Sequence, residues 1–171
     1  MQNQTGNPLN ILSGSTSTTS ITALTGVATI TPDLIAPVQM LRKPTQWFNN
    51  TVCDPTDPNN CPVGSSFAVP VNFASNGSRV IHFGSLGRNA LTGPGFNNVD
   101  FSVLKNTTIR ETLRAQFRWE VFDIFNHANF GNPGTTATPG STTFGVIQST
   151  RFPTGESGSS RQMQFTLKLL F

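Results

Sequence analysis

The sequence predicts an all-β fold of antiparallel strands joined by long polar loops. The 171-residue chain contains 15 Gly and 12 Pro together with many Asn, Thr and Ser residues. These residue types score poorly in helices and are frequent in turns. Apolar and polar residues alternate in several segments, which is the pattern of a strand with one buried face. Only 11% of the residues are charged, whereas soluble domains average ~25%.

The clearest alternation lies at the C-terminal end of the chain. The odd positions are all apolar: Met163, Phe165, Leu167, Leu169 and Phe171. The even positions Gln162, Gln164, Thr166 and Lys168 are polar, and only Leu170 departs from the pattern. A run of ~9–11 alternating residues is long enough for a tilted strand to cross a membrane.

Two further segments show the same period of two. Leu113, Ala115, Phe117, Trp119 and Val121 alternate with polar residues, and so do Val99, Phe101 and Val103. Between these segments, residues 105–110 predict a tight hairpin turn. Three alternating segments predict one antiparallel sheet. A soluble β-sandwich would alternate in the same way, so the pattern alone does not place the sheet in a membrane.

Two features favour the C-terminal end of a transmembrane β-barrel over the sandwich. The polar face would carry Asp100, Arg114, Arg118, Glu120 and Lys168, which suits a water-filled lumen. The last strand also runs to an aromatic residue, and the machinery that assembles outer-membrane barrels recognises a final strand ending in Phe. We therefore expect Phe171 to be an assembly signal. The residues expected to face lipid are Leu113, Phe117, Trp119, Val121, Met163, Phe165, Leu167 and Leu169.

Loop lengths give each segment an expected side of the membrane, because outer-membrane barrels combine short periplasmic turns with long extracellular loops. The predicted segments are an outward strand near Asn7–Ser13, a long outer loop excursion over 14–96, an inward strand at 97–105, a periplasmic turn near 106–110, an outward strand at 111–124, an extracellular loop at 126–160 and an inward strand at 160–171. The whole of 1–171 is then part of one barrel that this chain does not complete, and 97–171 holds its last three strands.

Cys53 and Cys61 lie in a short polar segment shaped by Pro55 and Pro58. Their spacing is too long for a CxxC redox or zinc motif. A disulfide is favoured over two free thiols, and it would indicate an oxidising location such as the periplasm or cell surface.

No motif in the chain predicts an enzyme, a cofactor or a metal. His82 and His127 have no partners at ligand spacing, and there is no G-x-S-x-G nucleophile motif. The glycines of 84–87 and 93–95 are not followed by the Gly-Lys-Ser/Thr of a phosphate loop. The net charge of +3 comes from scattered residues, whereas nucleic-acid binding requires a concentrated basic patch.

The first residues, Met1–Gln4, contain neither a basic nor an apolar targeting segment. No window approaches the ~18 consecutive apolar residues of a transmembrane helix. If the chain is a barrel end, we expect it to be a fragment of a longer protein.

Several motifs resemble those of Oar-like TonB-dependent receptors, which are abundant in Acidobacteria. The matching segments are Gly87–Asp100, Lys105–Asn106, Phe117–Glu120, Phe125–Gly131, Arg161–Phe165 and Leu167–Phe171, with looser matches at Gly6–Asn10 and Trp47–Asn49. The resemblance implies an outer-membrane receptor of about twenty-two strands that takes up a large or scarce nutrient. It implies as partners the outer-membrane lipid, the barrel-assembly machinery and TonB, the last through a plug region missing from this chain.

Two other functions stay open at this point. One is a soluble carbohydrate-binding β-sandwich module, which partitioning into detergent micelles would distinguish from a barrel. The other is the end of a different outer-membrane barrel such as a porin, which would share the terminal strand but not the Gly87–Asp100 motif.

Overall fold

The computed structural model describes residues 1–14, 30–151 and 160–171. Within these ranges the chain divides into two compact units. The sheet unit comprises Met1–Gly6, Pro94–Gly131 and Ser149–Phe171, and the core unit comprises Asn7–Gly93 and Asn132–Gln148. Almost all of the regular structure is β, as the sequence predicts.

Three long strands dominate the sheet unit. They are β13 (Phe101–Thr108), β14 (Arg114–Phe122) and β16 (Gln162–Leu170). Their order is β13-β14-β16 and both pairs are antiparallel. A separate antiparallel pair joins β1 (Gln2–Gln4) to β12 (Phe96–Asn98). The sequence prediction of three antiparallel strands in this region is confirmed.

The turn between β13 and β14 lies later in the chain than the sequence indicates. Lys105 to Thr108 continue β13, and the turn occupies residues 109–113. Its backbone bonds run from the amide of Ile109 to the carbonyl of Leu113 and from the amide of Leu113 to the carbonyl of Arg110. The prediction of a turn near 106–110 was wrong because Lys105 interrupts the apolar positions of the strand without ending it.

The core unit is built of short strands. They are β2 (Pro8–Leu9), β3 (Leu12–Ser13), β4 (Asp33–Leu34), β5 (Met40–Lys43), β6 (Gln46–Phe48), β7 (Val52–Cys53), β8 (Phe67–Ala68), β9 (Val71–Phe73), β10 (Arg79–Ile81), β11 (Leu91–Thr92) and β15 (Thr136–Ala137). Most pairs are antiparallel, but β15 pairs with β3 and β7 pairs with β8 in parallel.

Three phenylalanines form the centre of the core unit. Phe48, Phe67 and Phe144 are fully buried, and each ring packs edge-to-face on the other two at centroid distances of 5.2–5.9 Å. Edge-to-face packing is the favoured geometry for aromatic pairs. The remaining members of the cluster are Leu9, Ile11, Val52, Val69, Val71, Leu86, Leu91 and Ala137.

This core corrects the expectation that 14–96 and 126–160 are only loops. Both contribute buried side chains to one cluster, Phe48 and Phe67 from the first segment and Phe144 from the second. The predicted membrane strand at Asn7–Ser13 is also wrong. That segment forms β2 and β3, which pair with β11 and β15 and not with the long strands.

Helical structure in the described part of the chain is limited to one 3-10 turn, Pro58–Asn60. None of it is long and apolar enough to span a lipid bilayer.

Candidate functional site

The three long strands present one predominantly apolar face, called the apolar face below. Directly opposed residues of antiparallel strands point to the same side of the sheet. The register therefore aligns Phe101, Val121 and Met163 in one row, and Val103, Trp119 and Phe165 in the next. Further rows are Lys105–Phe117–Leu167 and Thr107–Ala115–Leu169.

Most of the apolar face is uncovered. Seven of its large apolar side chains are more than a third exposed: Phe101, Val103, Phe117, Met163, Phe165, Leu167 and Leu169. Leu167 reaches 68%. Burying one side chain of this size contributes ~1.5–3 kcal/mol, so leaving seven of them in water is strongly unfavourable. The face therefore suits an apolar surrounding.

Aromatic rings cluster toward one end of this face. Trp119 stacks on Phe165 with centroids 6.0 Å apart and packs edge-to-face on Phe101 at 6.2 Å. Phe117 lies 6.4 Å from Phe165. These contacts run across all three strands, so they stabilise the register that the backbone bonds define.

The opposite face of the sheet is polar. Arg118 and Glu120, neighbours on β14, form an ion pair with 3.6 Å between Nη1 and Oε1. The amide of Gln116 donates to Oδ1 of Asn106 across the strand pair at 2.9 Å. Lys168 opposes Gln116 in the same row. One apolar and one polar face is the arrangement that the wall of a transmembrane barrel requires.

Two of the eight residues predicted to face lipid need correction. Leu113 precedes β14 and belongs to the turn, where its amide and carbonyl both bond within 109–113. Val121 lies in the correct row, between Phe101 and Met163, but it is only 4% exposed. The other six lie on the apolar face, and of these Trp119 is only partly exposed.

Two leucines and one lysine lie on the face opposite to the one their chemistry suggests. Leu104 and Leu170 occupy rows of the polar face, opposite Arg118 and Arg114. Lys105 occupies a row of the apolar face, opposite Phe117. The sequence already indicated the placement of Leu170, which departs from the alternation, whereas those of Leu104 and Lys105 follow from the register.

A network of buried polar side chains lies at the end of the sheet where β13 begins and β14 ends. We call this the loop end and the opposite end, at residues 109–113, the turn end. Asn129 is fully buried. Its Oδ1 accepts from the amide of Asn97 at 2.8 Å, and its Nδ2 donates to the carbonyl of Asn97 at 3.0 Å. Asn129 thus satisfies both backbone groups of Asn97 in the way a neighbouring strand would.

Two aspartates extend this network. Oδ1 of Asp100 accepts from the amide of Asp123, and Oδ1 of Asp123 accepts from the amide of His127. Asp123 has a φ of 51°, a left-handed conformation that Asp tolerates better than most residues. Asp100, predicted to face the lumen from a strand, precedes β13 and binds the β14 terminus instead.

The residue that precedes β16 binds the segment 125–131. The amide of Arg161 donates to Oδ1 of Asn126 at 2.9 Å, and Asn126 has a φ of 52°. The segment 125–131 therefore connects the ends of β12, β14 and β16. In the sequence this segment is part of the resemblance to Oar-like receptors, and the structure shows that its residues bind the ends of these strands.

The two cysteines are joined by a disulfide in the core unit. Cys53 lies in β7 and is buried. The loop closes beside the bridge, where the amide of Asp54 donates to the carbonyl of Asn60 at 2.9 Å. Asp57 caps the 3-10 turn by accepting from the amide of Asn59. The segment is thus a compact loop whose two ends are covalently joined.

One histidine has a partner that sequence spacing could not show. Nε2 of His82 lies 2.7 Å from Oδ2 of Asp33, 49 residues earlier in the chain. Oδ1 of the same carboxylate accepts from the amide of Ser85, so Asp33 connects β4 to the segment that follows β10. Among the described residues, no group of three or more His, Cys, Asp or Glu side chains could hold a metal ion.

Long strands with one apolar and one polar face, together with long loops, are features of a β-barrel wall. The family model described as "Outer membrane beta barrel domain" matches residues 1–164. The chain therefore belongs to the outer membrane β-barrel domain family. No curated protein and no solved structure matches it.

Proposed function

We propose that this chain forms the last strands of a TonB-dependent outer-membrane receptor of the Oar-like type, which takes up a large or scarce nutrient. The observation that carries the membrane location is the apolar face, with seven exposed large apolar side chains on three adjacent strands. Membership of the outer membrane β-barrel domain family supports the same location. The sheet would act as a wall and not as a catalytic centre.

The receptor type is supported by the Oar-like motifs. Segment 87–100 leads into the three-stranded sheet, and segment 125–131 forms the buried network at its loop end. A generic barrel end needs an alternating final strand, but it does not need this particular network. The motifs therefore favour an Oar-like receptor over the end of a porin.

Loop length supports an orientation. The turn end of the sheet is closed by five residues, 109–113, whereas 39 residues separate β14 from β16. Because short turns are periplasmic and long loops extracellular in such barrels, we place the turn end in the periplasm. The segments that lead into β13 and from β14 to β16 would then be extracellular, and an oxidising environment there would suit the Cys53–Cys61 disulfide.

The partners follow from this arrangement. Outer-membrane lipid would contact the apolar face at Phe117, Phe165, Leu167 and Leu169. The assembly machinery would recognise Phe171, which is 97% exposed. TonB would act through a plug region outside these residues, and neither catalysis nor nucleic-acid binding is part of the proposal.

Cysteine accessibility tests the membrane proposal. In the full-length protein in outer-membrane fractions, we expect Thr166→Cys to react with a hydrophilic maleimide through the lumen, while Leu167→Cys is protected. The native cysteines are joined in a disulfide and do not react with the maleimide. Equal reactivity at both positions would show that the sheet separates no lipid from water, and it would not favour a soluble β-sandwich either, because a sandwich also needs one buried face.

Conductance tests the receptor proposal against the porin. Reconstituted in a planar bilayer, a receptor with a plug should pass little current, and cross-linking in cells should join it to TonB. A steady open conductance without a TonB cross-link would assign the chain to a porin-like barrel and leave the membrane proposal intact.

A further inference from the structure

Lys105 is a charged residue on a face that otherwise presents apolar or small side chains. It opposes Phe117, which in turn opposes Leu167, so all three side chains lie on the apolar face. Its neighbours two positions away on the same strand, Val103 and Thr107, point to the same side. The placement follows from a continuous register over eight residue pairs of β13 and β14.

The charge of Lys105 has no counter-ion in the described residues. The ion pairs found there join His82 to Asp33 and Arg118 to Glu120. The side chain is exposed, so no burial within the chain neutralises it either. A cation on a lipid-facing surface is tolerated near the membrane interface and disfavoured at the midplane. The position along the strand therefore decides what Lys105 can contact.

Lys105 lies within reach of the interface at the turn end. Ile109, where the turn begins, is four positions further along the chain, which is about 14 Å along a strand. The tilt of barrel strands, ~35–45°, shortens this distance to about 10 Å of depth. The lysine side chain can span most of this depth, because its methylene groups lie along the apolar surface while the ammonium reaches the head groups.

The surface between Lys105 and the turn leaves this path open. The next row toward the turn contains the small residues Thr107 and Ala115 beside Lys105, and Leu169 on the third strand. A second cation, Arg110, lies exposed in the turn, next to Glu111. With Thr107 and Ala115 as its neighbours toward the turn, the exposed ammonium of Lys105 is accessible to the phosphate of a lipid head group.

We propose that Lys105 binds the phosphate of an anionic phospholipid at the turn end of the apolar face. This inference rests on the membrane location given under Proposed function, and it adds a lipid preference at one position of that surface. The alternative occupant, an acidic side chain of a neighbouring protein, becomes an outcome of the test below.

Local lipid quenching measures the preference at this position. The full-length protein carries a fluorophore at Leu169→Cys, which lies in the row next to Lys105 and about 10 Å across two strand spacings. It is reconstituted with brominated phosphatidylglycerol or brominated phosphatidylcholine, and the ratio of quenching gives the relative binding of the two lipids. One cation near an anionic surface should give about a fivefold preference for phosphatidylglycerol.

Three variants separate the site from general charge effects. Lys105→Gln should bring the ratio close to one, while Lys105→Arg should keep it. Lys168→Gln is the matched control, because Lys168 lies one row away on the polar face and loses the same charge. In that variant the preference should not change.

Each other outcome overturns the proposal. An unchanged ratio in Lys105→Gln would exclude Lys105 as the lipid contact, and a carbodiimide cross-link to another protein in outer-membrane fractions that is lost in this variant would indicate an acidic protein partner instead. Equal losses in Lys105→Gln and Lys168→Gln would indicate net charge alone. Absence of quenching by either lipid would refute the membrane location itself, whereas quenching without a preference would refute only the role of Lys105.

Discussion

The sheet unit and the core unit differ in how far their apolar side chains are buried. The three long strands of the sheet unit have 8 or 9 residues each and leave one apolar face exposed. The strands of the core unit have 2 to 4 residues, yet they enclose three phenylalanines completely. The long strands of the sheet unit need an apolar surrounding, whereas the short strands of the core unit bury their apolar side chains against one another. Strand length is therefore a poor guide to which part of this chain is stable in water.

The largest effect is expected in the core unit. Phe144→Ala should lower its free energy of unfolding by about 3–5 kcal/mol, because it removes a fully buried ring that contacts two others. Urea-dependent pulse proteolysis of the full-length protein in micelles measures the loss. Phe83→Ala is the control, since Phe83 is 62% exposed and should cost far less. Similar losses for both variants would show that the core unit has no independent core.

A smaller loss is expected when the apolar face of the sheet is charged. Phe165→Arg should cost ~2–4 kcal/mol near the membrane midplane, while Thr166→Arg on the polar face should be mild. Phe165 lies one row further from the turn end than Lys105. The amount of heat-modifiable barrel in outer-membrane fractions checks this. If arginine is tolerated equally at 165 and 166, the alternation does not separate lipid from lumen. A loss at 166 alone would mean that the two faces are reversed.

Removal of the disulfide should affect only the core unit. Replacing Cys53 and Cys61 by Ser should destabilise it by about 2.5 kcal/mol, the chain entropy of a loop of this length. Thiol labelling of denatured cells before and after reduction tests the bridge directly. We expect labelling only after reduction, and equal labelling in both samples would remove the disulfide from the exported protein. The sheet unit should keep its heat modifiability in the double variant.

The smallest effect on stability is expected at Phe171. Its side chain is almost fully exposed, so Phe171→Ala should change the free energy of unfolding by less than about 0.5 kcal/mol. The yield of assembled barrel should nevertheless fall, because recognition during assembly is lost. Comparing yield in cells with the stability of the purified protein separates the two effects. A normal yield would remove Phe171 as an assembly signal.

The alternating strands could be predicted because their signal is local. A period of two needs no knowledge of distant residues, and β14 and β16 appear within a few residues of their predicted bounds. The disulfide candidates were also readable, since the cysteines are only 8 residues apart. The turn was misplaced because Lys105 breaks the pattern on a strand that continues to Thr108.

The core unit could not be predicted from the sequence, because its contacts join residues that are far apart in the chain. The side-chain amide of Asn50 donates to the carbonyl of Phe144, 94 residues away, and no local pattern marks the two as neighbours. The same holds for His82 and Asp33 and for Asn97 and Asn129. The sequence by itself determined which residues alternate, and hence that this chain has strands with two unlike faces. Only the tertiary structure decided the register, the position of Lys105 on the apolar face and the burial of the phenylalanines. Each of these depends on which distant strands and loops pair, and local alternation carries no information about that choice.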